Sequence, residues 1–265
     1  MPELAEVAFH ASKWKAAVGQ RFRLDWISPK ARCCRHCDAD TLRSALDDSV
    51  LKAGYTHGKR MLFSFGDRSY LEIHLGMTGS LRRENLDYER VKHDHLVLRG
   101  ERTLLVFQDS RQFGKVAFHR TEGDLPAWWR ELPPQPHDEQ FTPERFEEIL
   151  SRSPRSVLKA FLLKQEYFPG VGNWMADEIL WQARVRPSRK VESLSKKESD
   201  ALFEKLRFVC AEAIRTIGGD YSDPPETWLF QHRWKDGGDC PATGKPLVRE
   251  TIGGRTTCWS PAWQR

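Results

Sequence analysis

Between Leu125 and Thr142 the chain reads LPAWWRELPPQPHDEQFT. Proline locks φ and removes a backbone donor, so Pro126, Pro133, Pro134 and Pro136 forbid a continuous helix or an interior strand here. The hydrophobic pattern changes across this interval from strand-like to helix-like. A chain of 265 residues can build two modest domains with their own cores. The expected fold is therefore α+β in two domains. A β-sandwich with a leading helix spans 1–130, a helical domain spans 131–265, and a cleft lies between them.

Ahead of the interval, Leu4, Val7, Ala11, Trp14 and Val18 recur at helical spacing, with Gly19 placed to end the helix. RMLFSF (60–65) and YLEIHL (70–75) read as strands. HLVL (95–98) and TLLVF (103–107) read as a hairpin about Gly100. After the interval, Thr142-Pro143 and Ser153-Pro154 each set a capping side chain before a proline at the first helical position. Ser195 and Glu198 make a capping box opening a helix with the apolar stripe Leu202, Phe203, Leu206, Val209, Cys210 and Ile214. Gly218-Gly219 is placed to stop it. The chain ends in PLVRETI, Gly253-Gly254 and RTTCW, a hairpin joined by two glycines.

Composition removes several classes. Apolar residues at 39% are too many for a disordered chain. No stretch approaches the ~20 apolar residues of a membrane span. The opening residues lack the basic-then-apolar order of a signal peptide. A net charge of +5 admits a polyanionic partner without requiring one. The cysteines crowd at 33–37 or scatter, which reads as reduced thiols rather than a disulfide framework.

The opening MPELAEV is the first candidate for chemistry. Removal of Met1 exposes Pro2 as a secondary amine, and an α-amino pKa near ~8 leaves a useful fraction uncharged. Such an amine attacks an electrophilic carbon and forms an iminium. Glu3 lies beside it to move a proton. The plainer reading is a helix start, with Pro2 in the first turn and Glu3 and Glu6 facing the helix dipole. Five later segments change that balance: GKR (58–60), HLGMTGSL (74–81), KHDH (92–95), DSRQFG (109–114) and GVGNWMADEIL (170–180). In the last, a glycine turn leads to Asn173 as helix N-cap.

With these segments in this order, the chain resembles the formamidopyrimidine-DNA glycosylase / endonuclease VIII family of base-excision repair enzymes. Its members open with PELPEV or PEGPE and carry GKR, HLGMSG, KHDH, DxRRFG and GxGNxYxxE. One motif alone is cheap, but the ordered set spans nearly the whole chain and is specific. The resemblance implies a C-terminal helix-two-turn-helix bundle and a role for each matching residue. Pro2 is the nucleophile at the sugar C1′, Glu3 the acid assisting ring opening, and Glu6 a second carboxylate near the site. Lys59 contacts phosphates around the lesion, and His74 and His93 face the DNA backbone or the site. Met77, Arg111 and Phe113 fill the gap left by a flipped base. Asn173 binds phosphate at a helix N-terminus.

These roles have physical sense. Flipping a nucleotide costs a few kcal/mol of unstacking. A flexible Met and a Phe wedge recover part of it, and Arg111 offers a fork of donors to the orphaned base. A helix N-terminus favours phosphate through exposed N–H groups. Taken alone, Met77 and Phe113 would read as core fillers and Arg111 as surface charge.

Most family members end in a zinc finger, C-x2-C-x16-C-x2-C. Laid from Cys240, this chain has Cys240, Thr243, Ser260 and Trp263 at those places. One thiolate cannot make a closed tetrahedral site, so the expectation is a zincless finger at 240–265, no metal and no cofactor. Trp259 and Trp263 would pack in its place, and Arg255 would reach DNA phosphate. CCRHC (33–37) is too tightly spaced for a two-pair metal site and reads as a reduced, basic surface loop, with a local metal or redox site as the alternative.

Other departures bear on substrate. Ala5 and Gln112 replace the usual residues of their motifs, and Lys164 stands where many members have Asp. Only 20 residues separate Gly219 from Cys240, where 8-oxoguanine-specific members hold a longer covering loop. Phe230, His232, Arg233 and Trp234 in that span are read either as part of a lesion pocket or as strand packing. The resemblance then implies a bifunctional glycosylase and abasic-site lyase with endonuclease VIII-like lesion choice: oxidised pyrimidines, hydantoins and abasic sites. Its partner is damaged double-stranded DNA. The chain is expected to be monomeric and off the membrane, cytoplasmic with the nucleoid in a bacterium or nuclear in a eukaryote. The alternatives are a catalytically silent DNA-damage binder, an 8-oxoguanine/formamidopyrimidine-specific enzyme, and a metal-dependent nuclease. EDTA-sensitive cleavage would mark the last.

Overall fold

The computed structural model describes residues 1–265. Two compact units part between Leu132 and Pro133, inside the proline-rich interval. The N-terminal unit comprises residues 1–2 and 6–132, and the C-terminal unit residues 3–5 and 133–265.

In the first, α1 (Leu4–Lys15) leads to β1 (Arg21–Ile27), α2 (Ala39–Leu46), β2 (Ser49–His57), β3 (Arg60–Phe65), β4 (Ser69–His74), β5 (Gly79–Glu84), β6 (Asp94–Gly100), β7 (Leu104–Asp109) and β8 (Lys115–Arg120), with α3 (Ala127–Arg130) after them. The antiparallel sheet runs β5-β7-β6-β1-β2-β3-β4-β8. Only Arg21↔Val50 and Phe22↔Ser49 join β1 to β2, so the sheet divides into two four-stranded halves there. Leu24, Leu96 and Phe107 from one half share a core with Met61, Phe63 and Ile73 from the other, as a sandwich requires. Trp14 of α1 enters it, 4.9 Å from Phe63. Burying each such large side chain stabilises by roughly 1.5–3 kcal/mol.

Two expectations fail in this unit. α1 ends at Lys15, and the next turns tighten to i→i+3 bonds (Ala17 N–H to Trp14 O, Val18 N–H to Lys15 O). That rotation buries Ala17 and leaves Val18 46% exposed, off the expected stripe. The 33–37 segment is not a surface loop at its cysteines. A short 3-10 turn over Arg32–Cys34 points the Cys33 and Cys34 thiols into the core.

The C-terminal unit contains α4 (Pro143–Ser151), α5 (Leu158–Leu162), α6 (Asn173–Gln182), α7 (Lys196–Arg215), α8 (Ile217–Asp220), β9 (Val248–Ile252) and β10 (Arg255–Trp259). Thr142 caps α4, and Ser195 and Glu198 form the expected capping box on α7. Between α5 and α6 the chain makes two successive turns, closed by Phe168 N–H to Lys164 O and Val171 N–H to Phe168 O. This is a helix-two-turn-helix arrangement. Gly253 and Gly254, at φ 60° and 76°, form the two-residue turn of the β9–β10 hairpin.

Three expectations change. Ser153-Pro154 starts no helix: Ser153 accepts from Ser156 N–H in a turn, and α5 begins at Leu158. Gly218 and Gly219 do not stop α7. Thr216 breaks it at ψ −83°, and the glycines lie inside α8, which Tyr221 ends in the left-handed region. The cap of α6 is Gly172, and Asn173 is its first helical residue.

Candidate active site and nucleic-acid interface

Pro2 is half-buried and lies two residues ahead of the start of α1. Glu3 is 2% exposed. Its carboxylate takes the Trp174 N–H on Oε1 at 3.0 Å and the Met175 N–H on Oε2 at 3.2 Å. These are first-turn amides of α6, where orphan donors and the helix dipole favour an anion. The GVGN motif makes room for it: a Cβ on Gly172 would lie 2.2 Å from Glu3 Cδ. The α6 N-terminus therefore holds a carboxylate of the chain itself. The phosphate-binding argument from Asn173 as a cap loses its basis. Asn173 instead donates from Nδ2 to Thr256 O at 2.8 Å, on the hairpin where Arg255 stands exposed beside the turn. Glu6 is half-buried in the first turn of α1.

Lys59 occupies the second position of the two-residue turn between β2 and β3, with Gly58 at φ 55° in the first. Opposite Arg60 on β3, His74 ends β4. The Gly76 N–H donates to His74 Nδ1 at 3.0 Å, which leaves the ring proton on Nε2. Burial, with Lys59 and Arg60 close by, lowers the His74 pKa below its ordinary value, so the ring is a neutral donor. Beside it Glu72, 2% exposed, binds Arg60 Nη1 at 3.1 Å, Lys115 Nζ at 2.9 Å and His119 Nε2 at 3.0 Å. Burial opposes the charge on Glu72, but these partners outweigh it and hold its pKa at about 2. One fixed carboxylate thus orders two half-exposed cations on the face that carries Lys59. The sequence reading missed this group.

Met77 and Phe113 are 42% and 48% exposed, so neither is a core filler. Arg111 is exposed, its guanidinium 4.9 Å over the Phe113 ring. Gly76, at φ 62°, has Phe113 carbonyl carbon 2.4 Å from where a Cβ would sit, so the loops after β4 and β7 are in direct contact. His93 is half-buried; its carbonyl accepts the Asp109 N–H at 3.0 Å. Gln112 takes φ 53°, and its Oε1 accepts the Arg32 N–H at 2.8 Å.

The hairpin does not suit the family's metal. Cys240 is the one thiol among the four ligand positions. Trp181 Nε1 donates to its sulfur at 3.4 Å. Burial would raise the Cys240 pKa, but hydrogen bonds involving Ser260, Thr243 and Trp181 lower it. Trp263 donates to Trp181 O at 3.0 Å, which turns the fourth position into a packing residue. Hydroxyls and an indole N–H do not complete a tetrahedral zinc site.

A buried network braces the same hairpin. Asp177 of α6 is fully buried and accepts from Lys159 Nζ at 2.5 Å, Arg233 Nη2 at 2.6 Å and the Cys258 N–H at 3.0 Å. Its neighbour Glu178 accepts the Phe230 N–H at 2.9 Å. Phe230, in a 3-10 turn over Leu229–Gln231, packs its ring against Trp174, and Arg233 is taken up by its pairing with Asp177; neither lies in a strand. Trp234 remains 55% exposed, 5.2 Å from Phe230.

Two family models match the chain. The formamidopyrimidine-DNA glycosylase N-terminal domain covers residues 1–116, and the formamidopyrimidine-DNA glycosylase H2TH domain covers 132–223. A formamidopyrimidine-DNA glycosylase of Lactococcus lactis subsp. cremoris is 30% identical over 277 residues, covering 100% of both chains. One from Thermus thermophilus is 38% identical over 223 residues, covering 78% of this chain and 79% of its own. Among solved structures, the Lactococcus lactis protein with DNA containing an oxidised pyrimidine superposes with a TM-score of 0.87 at 27% identity, over 100% of both chains. A related complex with DNA carrying carbocyclic 8-oxo-G gives 0.85 at 27% identity, over 100% of both chains. By sequence over its whole length and by fold, the chain belongs to the formamidopyrimidine-DNA glycosylase family of DNA-repair enzymes.

Proposed function

We propose that this chain is a monomeric, bifunctional glycosylase and abasic-site lyase acting on damaged duplex DNA, with Pro2 as its nucleophile. The Pro2 amine, freed by loss of Met1, attacks C1′, and the Glu3 carboxylate takes the proton that amine gives up and passes it to the ring oxygen as the sugar opens. The base leaves and an iminium joins Pro2 to C1′. Loss of a C2′ proton then expels the 3′ phosphate, and a second elimination expels the 5′ phosphate. Lys59, His74 and Arg255 hold the backbone by its phosphates, a salt-sensitive interaction. The observation that carries the reading is the buried Glu3 carboxylate, fixed by two backbone N–H groups one residue from Pro2. A fixed carboxylate beside the amine is placed to take up and pass on its proton.

For lesion choice we favour oxidised pyrimidines, hydantoins and abasic sites. The Gly219–Cys240 span is short, and its Phe230 and Arg233 are turned inward. The names of the relatives favour the second reading, a formamidopyrimidine substrate.

Borohydride should trap the wild-type protein on abasic duplex DNA, and peptide mapping of the trapped adduct should place the DNA on the Pro2 nitrogen. An adduct on any other residue, or an active enzyme retaining Met1 by mass spectrometry, refutes the nucleophile. A cleavage panel of 8-oxoguanine, thymine glycol and hydantoin duplexes decides the lesion.

A further inference from the structure

We infer that Asp109 is the positioning residue for the gap-filling side chains: it acts through Met77, Arg111 and Phe113 and touches no substrate itself. This rests on the reading above that those three residues occupy the space vacated by a flipped nucleotide. Three exposed side chains on unpaired loops gain nothing from strand hydrogen bonds. Unless something orders them, the free energy of inserting them is reduced by the entropy of fixing them.

Asp109 supplies that order. It is fully buried at the end of β7. Its Oδ1 accepts the Thr78 hydroxyl at 2.6 Å, next to Met77, and the Arg111 N–H at 3.2 Å. Its Oδ2 accepts the Gly114 N–H at 2.8 Å, next to Phe113. Thr78 Oγ1 accepts the same Arg111 N–H at 3.2 Å, which closes a ring between the two loops. The backbone extends the clasp: Asp109 N–H donates to His93 O at 3.0 Å, and Asp109 O meets His95 Nε2 at 2.9 Å. A single carboxylate therefore sets the spacing of both loops, and the close approach at Gly76 depends on that spacing. Locked supporting contacts of this kind hold a working constellation in register.

The test separates positioning from folding by comparing two substrates. An abasic site in duplex DNA leaves a gap to fill and an orphaned base; the same site in a single strand has neither. Asp109→Asn, and Thr78→Val at an exposed position where misfolding is not at issue, are expected to lower kcat/KM on the duplex about tenfold, the loss of a hydrogen bond to a charged group. Single-strand cleavage should be unchanged, and Thr78→Ser should restore the duplex rate. Fluorescence of 2-aminopurine opposite the site, which reports insertion into the stack, should change in parallel. Equal losses on both substrates, or no loss on the duplex, overturn the inference. Met77→Ala/Phe113→Ala is run beside them. If it leaves the duplex to single-strand ratio unchanged, the gap-filling reading fails and the inference with it. If it lowers the ratio while Asp109→Asn and Thr78→Val do not, the inference alone fails.

Discussion

Replacing Asp177 with asparagine measures what holds the C-terminal hairpin in place. The carboxylate is fully buried and has three charged or backbone donors within 3.0 Å. Two of its partners are cations with no solvent to turn to: the Lys159 side chain is 0% exposed and that of Arg233 6%. Asparagine keeps the shape and removes the charge, which strands both cations. Breaking one partner of a buried ion pair costs about 3–5 kcal/mol, against a total of about 5–15 for a domain. An exposed pair provides the control. Lys196 and Asp200 bond at 2.7 Å with side chains 69% and 58% exposed, and Asp200→Asn should leave the midpoint close to that of wild type. Thermal unfolding followed by tryptophan fluorescence and far-ultraviolet circular dichroism measures both. The Asp177 variant should lose its C-terminal transition at a thermal midpoint roughly 6–20 °C below wild type. A loss no larger than that of Asp200→Asn would show that the network contributes little and that apolar packing alone anchors the hairpin.

Two further outcomes follow from the site. In Gly172→Ala the backbone is permissive, at φ −126°, but the new Cβ would lie 2.4 Å from Glu3 Oε1 and displace the carboxylate. Single-turnover base excision should fall about 100-fold or more, and an unchanged rate would detach Glu3 from the chemistry. Glu178 carries a pH signature: burial raises its pKa from 4.5 to about 7, against hydrogen bonds from Gln182 and Phe230. The folded chain then keeps a proton that the unfolded chain releases, so stability is present below pH 4.5 and is lost as pH rises through about 7. The loss amounts to about 3 kcal/mol at most. Urea midpoints from pH 5 to 8 should decline in wild type and flatten in Glu178→Gln.

Local chemistry was readable in advance; long-range chemistry was not. The Ser195–Glu198 box, the Thr142 cap and the Gly253-Gly254 turn each close within a few residues, so their types suffice to place them. Where a distant partner decides, type alone misleads. Asn173 looks like a cap, but Glu3, 170 residues earlier, supplies the acceptor, and the asparagine is drawn to Thr256 instead. Cys33 and Cys34 look basic and exposed among arginines until the 3-10 turn directs them inward. Val18 fits a helical stripe on a helix that has already ended. Within the site, the motifs marked the right loops. They did not reveal that Asp109, Glu72 and Asp177 bind them, because a buried carboxylate and a solvated one are the same letter.

The hairpin of β9 and β10 also bears on where such a protein works. A structural zinc finger is held by thiolates, and thiolates are the first groups that peroxide attacks. Cells accumulate oxidised bases when peroxide is abundant, so a thiolate-clamped reader would be disarmed just as its substrate appears. Here the corresponding positions are one buried thiol, two hydroxyls and an indole, braced by a carboxylate from α6. With one thiol in place of four ligands there is no thiolate clamp to oxidise open, and the hairpin bearing Arg255 is expected to keep its footing through such stress.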